Sequence, residues 1–349
     1  MKKLTSSISW NIFLKGVFSE GVGGLIFLKL KNSRLRDFFP EDVLSKLENF
    51  YLTNLGRNIF IYQELDNIFE TFKREGLSCF LNRGAYFSKY LYLDLGLRPM
   101  VDVDLIIFRE DLDKFKRVLL DLEYRCFEKY PFFFYKDSFY IDLHLDKPGF
   151  WRIGSWPSAF TIKDKRVYER SYTLGDNLPN IRVFDIYDSI LSSCQHLQEH
   201  SFSRLIWFID IVKLIKSIDT RFNWMILEER AEEFNLKKSL YFVVKYLKEK
   251  RLLFLTQEED FLRCSLNLLE RKSLSLLISD KRDRLCGELL FLFSLKGLKR
   301  RFNFLKEVFL LKEEVFPLTC KPNFFSYIFR SFKIIGYVFK RLFRLIWLK

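Results

Sequence analysis

The segment Leu97-Arg98-Pro99-Met100-Val101-Asp102-Val103-Asp104-Leu105 sets the terms for everything around it. Pro99 stops any helix arriving from upstream, and residues 101–108 are rich in Val and Ile and alternate in part, which predicts a strand. Asp102 and Asp104 stand two apart in it, so both project to one face, with Cα atoms roughly 6–7 Å apart. Burial alone does not satisfy two carboxylates held that way. They suit a hard divalent cation, which takes oxygen ligands and keeps positions open for phosphate.

Upstream, Leu77-Ser78-Cys79-Phe80-Leu81 is a short apolar strand candidate that ends at Asn82-Arg83-Gly84. A helix is predicted over residues 85–93, stopped by Gly96 and Pro99. Backbone N–H groups at that strand-to-helix turn would receive phosphate, and Gly84 would let it come close. Arg83 and Arg98 add positive charge for a triphosphate. Downstream, an amphipathic helix over 111–122 leads to strands at 132–135 and 139–145, separated by the hairpin turn Lys136-Asp137-Ser138. Asp142 is a carboxylate inside that last, otherwise apolar strand. If this strand lies beside the Asp102/Asp104 strand, three carboxylates converge. Such a set can clamp metal ions around the attacking and leaving oxygens of a phosphoryl or nucleotidyl transfer. His144 shares the face of Asp142 and reads equally as a contact to triphosphate or metal-bound water and as a hydrogen-bonded structural histidine.

The flanks are helical. Pro40-Glu41-Asp42 is a helix start, followed by apolar residues at helical spacing over 43–72. Helix returns after Val183, with segments at 202–218 and 224–234 and further Leu/Phe/Lys-rich helices to about 312. The expected fold class is α+β (α/β-like): a small mixed-sheet core over 71–180 between helical flanks. The organisation expected is a helical segment 1–70, the core, a helical domain 181–320 and a basic amphipathic helix 321–349.

On these residues the chain resembles the largely uncharacterised nucleotidyltransferases of the nucleotidyltransferase superfamily. Their pattern is a Lys-Gly turn and helix, an Arg-Pro-Met-x-Asp-x-Asp-Leu segment and an (Asp/Glu)-Leu-His strand. Here stand Arg83-Gly84, Arg98-Pro99-Met100-Val101-Asp102-Val103-Asp104-Leu105 and Asp142-Leu143-His144. Arg204-Leu205-Ile206-Trp207-Phe208-Ile209-Asp210 looks like the family's helical Arg-Leu-x-Trp-x-x-Asp segment, and Phe222-Asn223-Trp224 and Glu229-Arg230-Ala231 also fit. The likeness spans about 81–236, and faintly 317–344. Two departures stand out. Arg83 replaces the usual Lys, which keeps the charge but not the geometry. Gly84-Ala85 lacks the Gly-Ser of the wider superfamily, although Ala85 matches this family's own usage.

The resemblance implies magnesium- or manganese-dependent transfer of a nucleotidyl group from a nucleoside triphosphate such as ATP. The acceptor stays open: small molecule, protein or nucleic acid. Asp102 and Asp104 would bind metal, Asp142 would complete the site and activate the acceptor as general base, and Arg83, Gly84 and Arg98 would hold phosphates. The alternative is a nucleotide-binding or membrane-docked protein that keeps the fold without turnover.

Other signals compete. The chain carries a net charge of +14. Residues 79–146 hold ten Lys/Arg against twelve Asp/Glu, whereas 294–349 hold thirteen against three, so the basic character lies at the C-terminal end. On a helical wheel Arg330, Lys333, Lys340, Arg341 and Arg344 fall on one arc. Residues 322–349 therefore read as an interfacial helix on anionic lipid or as a helix packed on the rest of the chain. The expected location is the cytoplasm, with peripheral membrane contact through that helix. Six scattered cysteines with no C-x-x-C pair, and three histidines, argue against a Cys/His zinc module. His196-Leu197-Gln198-Glu199-His200 fits the inverted zinc-peptidase pattern and makes a zinc hydrolase the third reading. A role for His196 and His200 near nucleotide or acceptor, or a polar surface, competes with it. Asp210 interrupts a very apolar helix and so either faces the cleft or pairs with a nearby Arg or Lys.

Overall fold

A computed structural model describes residues 8–309 apart from 129, 149–160, 219–221, 254–263, 281–284 and 296, and beyond them only residue 336. The basic helix expected over 322–349 lies outside the described residues. Among the described residues the chain forms thirteen α-helices and one seven-stranded mixed sheet, an α+β fold.

Two short helices, α1 (Trp10–Ser19) and α2 (Gly23–Lys31), precede α3 (Glu41–Arg74). Pro40 stands at the N-cap of α3, with Glu41 and Asp42 in its first turn and Lys73 and Arg74 in its last, charges that complement the helix dipole at both ends. At 34 residues it runs roughly 51 Å. Its first turns (Val43, Leu44, Leu47) join the core under the helical flank, and its later turns (Ile61, Leu65, Ile68, Phe69, Phe72) join the core under the sheet. Gly76, at φ 65°, ends it: its N–H bonds the Lys73 carbonyl and the Leu77 N–H bonds the Phe72 carbonyl. That spends the Leu77 N–H on the helix cap, so β1 begins at Cys79 rather than Leu77.

The strands are β1 (Cys79–Asn82), β2 (Val103–Ile107), β3 (Arg125–Phe127), β4 (Tyr130–Lys136), β5 (Phe139–Leu145), β6 (Tyr172–Thr173) and β7 (Ile181–Val183). Their order is β3-β4-β5-β2-β1-β7-β6. β2 runs antiparallel to β1 and parallel to β5. The β4–β5 hairpin turns at Asp137-Ser138, with Asp137 at φ 51°. β3, β6 and β7 are two or three residues long, too short for alternation to show in sequence.

Period-two alternation divides the sheet. Cys79, Leu81, Val103, Leu105, Ile107, Ile141, Leu143 and Leu145 are buried in one core with α3 and with Phe115, Val118 and Leu119 of α5 (Leu112–Asp121). Phe80 and Ile106, on the other face, join the helical core with α7 (Ile186–Glu199) and α8 (Leu205–Ser217). The helix following β1, α4 (Arg83–Tyr90), starts two residues earlier than expected. α8 starts three residues later, because Ser201 and Phe202 at φ 50° and 58° close α7 with bonds back to Gln198 and Leu197. No single described helix is long and apolar enough to cross a membrane; α1 and α2 pass that test only as a pair bent by 118°.

Candidate active site

The polar residues of the second sheet face fall into register. Asn82 of β1 pairs with Asp104 of β2, and Asp104 pairs with Asp142 of β5, so the three side chains form a row across the sheet. The next row is Phe80, Ile106 and His144. His144 leans back onto the first row: its Nε2 lies 2.8 Å from Asp104 Oδ1 and 3.7 Å from Asp142 Oδ2. Asp104, Asp142 and His144 offer one ligand atom each within 4.8 Å of one another, a group able to hold a metal ion. Asp102 does not join that group at this distance. The ladder starts at Val103, and the Val101 carbonyl is taken by Arg57 of α3 instead of a neighbouring strand. Asp102 therefore enters the site from a loop, on the wall of the same cleft.

Arg83, the first residue of α4, has φ 44°, unusual for a side chain with a Cβ. The conformation carries its guanidinium onto Asp104: Nε donates to Oδ2 at 3.2 Å and Nη2 lies 3.0 Å from Oδ1. Desolvation opposes ionisation of Asp104, but Arg83, then His144, outweigh it and hold the carboxyl well below the usual range. Asp102 moves the other way. Burial, then the charges of Asp104 and Asp142, push it up to about 6. Desolvation would lower His144, yet Asp142 and Asp104 raise it to about 9. The imidazolium thus offsets part of the charge that the carboxylates concentrate.

Arg98 is not free to meet a phosphate in this arrangement. It donates to Asp210 through Nε at 3.0 and 3.1 Å and Nη2 at 2.8 Å, and both side chains are buried. Tyr92 donates to the same carboxylate at 2.8 Å. Asp210 is thereby a paired buried acid, the second of the two readings its sequence allowed. The arginine bears on Gly84 as well, since a Cβ there would meet Arg98 Nη1 at 2.8 Å. Gly84 accordingly makes room for Arg98 beneath the turn. Asn58 of α3 holds the loop that carries Arg98, donating to the carbonyls of Leu95 at 2.6 Å and Arg98 at 2.9 Å, and Tyr62 donates to the Ala85 carbonyl at 2.6 Å.

A family described as uncharacterised nucleotidyltransferase matches residues 6–250. The chain belongs to that family. Compared with curated proteins and with solved structures, it finds no match in either. The match embraces the carboxylate row, the Arg83–Gly84 turn and the whole of α7 and α8, so both walls of the cleft belong to the family's own region.

That cleft has a volume of about 760 Å³, within the range of small-ligand sites. Arg83, Gly84, Asp102, Asp104, Asp142 and His144 line one side, and Phe127, Tyr130 and Phe133 of the β3–β4 hairpin stand at it too. His196, Glu199, His200, Ser203, Arg204 and Trp207 line the helical side. The His196 and His200 ring centroids are 4.5 Å apart and lie 4.5 and 5.2 Å from Trp207. Desolvation, then Arg83, lowers both histidines below the ordinary imidazole range. Among the described residues neither joins a group of three metal-ligating side chains. The sequence brought forward neither Arg204 nor Trp207 as site residues. Asn58 had a signal: it sits on the apolar stripe of α3, where a buried asparagine must have partners.

Proposed function

We propose that the chain transfers a nucleotidyl group from a nucleoside triphosphate to an acceptor still to be found. The observation that carries this reading is the register of Asp104 and Asp142 on parallel neighbouring strands, facing an open cleft beside the Gly84 turn. Two carboxylates fit magnesium or manganese, with Asp104 and Asp142 as the ligands and Asp102 near them. When bound, such a cation neutralises phosphate charge and orients the donor. Gly84 lines the cleft at the start of α4, and the first N–H groups of that helix are proposed to meet a phosphate oxygen. Arg83 keeps Asp104 ionised and oriented. The acceptor oxygen attacks the α-phosphorus, the bond from that phosphorus to the bridging oxygen breaks, and pyrophosphate leaves. The acceptor's proton goes to a carboxylate of the row, for which Asp142 is proposed.

One observation favours a second reading. Arg83 engages both oxygens of Asp104 and His144 takes one of them as well, which suits a protein that binds nucleotide without turning it over. Triphosphates labelled at the α-phosphate, incubated with magnesium and cell extract, separate the two. Transfer of label by the wild type, reduced at least roughly 1000-fold in Asp104→Asn, supports the enzyme. Nucleotide binding with no transfer supports the second reading, and equal transfer by both proteins refutes the site.

A further inference from the structure

Among the described residues the cleft is lined by three arginines and four carboxylates: Arg83, Arg98 and Arg204 against Asp102, Asp104, Asp142 and Glu199. A triphosphate needs cations, and two of these three are committed. Arg83 is spent on Asp104, and Arg98 is tied to Asp210 through Nε and Nη2 in a buried pair. Arg204 differs. Its Nε donates to the Ser19 carbonyl at 3.3 Å and its guanidinium lies 5.7 Å from the Trp207 ring centroid. Those contacts fix the plane of the group while leaving the two Nη nitrogens without a protein acceptor among the described residues. It is half-buried, at the start of α8, on the wall facing the carboxylate row.

A guanidinium held by its Nε and by an aromatic face, with both Nη groups open to a cleft, is arranged to grip two oxygens of one phosphate. Resting on the nucleotidyl-transfer reading above, we infer that Arg204 is the cleft's phosphate-gripping cation and takes the β- or γ-phosphate of the donor. Arg98 then serves as a positioning residue, setting the turn at Gly84 and the approach of Asp102 through its bond to Asp210. The donor would lie between the two walls, with its tail at Arg204 and its α-phosphate beside Asp104 and Asp142. A phosphorylated acceptor offers the same chemistry to Arg204, so the probes must separate donor tail from acceptor.

Titration calorimetry on the full chain supplies that test, with magnesium ATP, magnesium tripolyphosphate and AMP as probes, on wild type, Arg204→Met and Arg204→Lys. The expected result is tight binding of ATP and tripolyphosphate by the wild type. Arg204→Met should weaken both by roughly 10- to 100-fold, as loss of a charge-assisted contact requires. AMP should bind both proteins alike, Arg204→Lys should fall between, and manganese binding, followed separately, should be unchanged. Equal affinity of wild type and Arg204→Met for tripolyphosphate overturns the inference while leaving nucleotidyl transfer standing. Weakened AMP binding with unchanged tripolyphosphate binding also overturns it, moving Arg204 to the acceptor or nucleoside side. A wild type that binds neither ATP nor tripolyphosphate overturns the functional reading itself.

Discussion

At the scale of single residues, the site is a contest between charges for a few ångströms of sheet surface. His144 shows how this couples to stability. Its pKa rises from 6.5 to about 9 on folding, so the folded chain binds that proton more tightly than the unfolded one. The contribution is complete below about pH 6.5 and is lost as pH rises through about 9, at most about 3 kcal/mol. Thermal melts in chelator from pH 6 to 10 should show this decline in the wild type and a flatter profile in His144→Gln. Manganese should raise the melting temperature of the wild type and fail to do so for Asp142→Asn; an equal rise in both would remove Asp142 from the metal site. Gly84→Ala should cost about 1–3 kcal/mol, because its Cβ would press on an Arg98 that Asp210 holds in place. In urea unfolding, which reads both changes, Gly56→Ala, in α3 with open space around it, should stabilise by about 1 kcal/mol.

At the scale of elements, each wall of the cleft is set by something outside it. α3 carries no cleft-lining residue, yet its Asn58 fixes the loop from Leu95 to Arg98 and its Arg57 holds the Val101 carbonyl. Asn58→Ala strips two carbonyls of their donor and should cost about 2 kcal/mol in urea unfolding. A loss no larger than that of an exposed substitution such as Asp42→Ala would refute this role. The elements themselves were largely legible in the sequence. Helical spacing and the Pro40-Glu41-Asp42 start anticipated α3, and Val/Ile content and turn residues anticipated β1, β2, β4 and β5. Their ends were not, because the cap at Gly76 and the Arg57–Val101 bond decide where the ladders begin. Both depend on contacts that no local pattern announces.

Over the whole molecule, ion pairs tie the helices to one another around the start of α7. Asp188 at the start of α7 is fully buried and meets Arg170 at 3.0 Å and Arg230 at 3.1 Å, and Arg230 also holds Asp185 at 2.6 Å. Arg230→Ala should cost about 2 kcal/mol, because buried Asp188 keeps Arg170 but loses the second of its two cations. Arg166→Ala, which breaks pairs made by an exposed side chain, should cost clearly less, and urea midpoints would rank the two. The sequence alone determined the α+β class, the strand-borne Asp104 and Asp142, and the glycine turn; it also put Asp102 inside the strand, whereas the ladder starts one residue after it. Those follow from period-two alternation and from residue types that a short stretch displays. Only the tertiary structure decided which of the charges are committed. Arg98 and Asp210 are 112 residues apart and Arg83 and Asp104 are 21 apart, so their pairing is invisible until the chain is folded. The same holds for Arg204, brought by α8 to the cleft wall facing the carboxylate row. Side-chain spacing fixes which face a group takes, whereas long-range packing fixes which partner it meets.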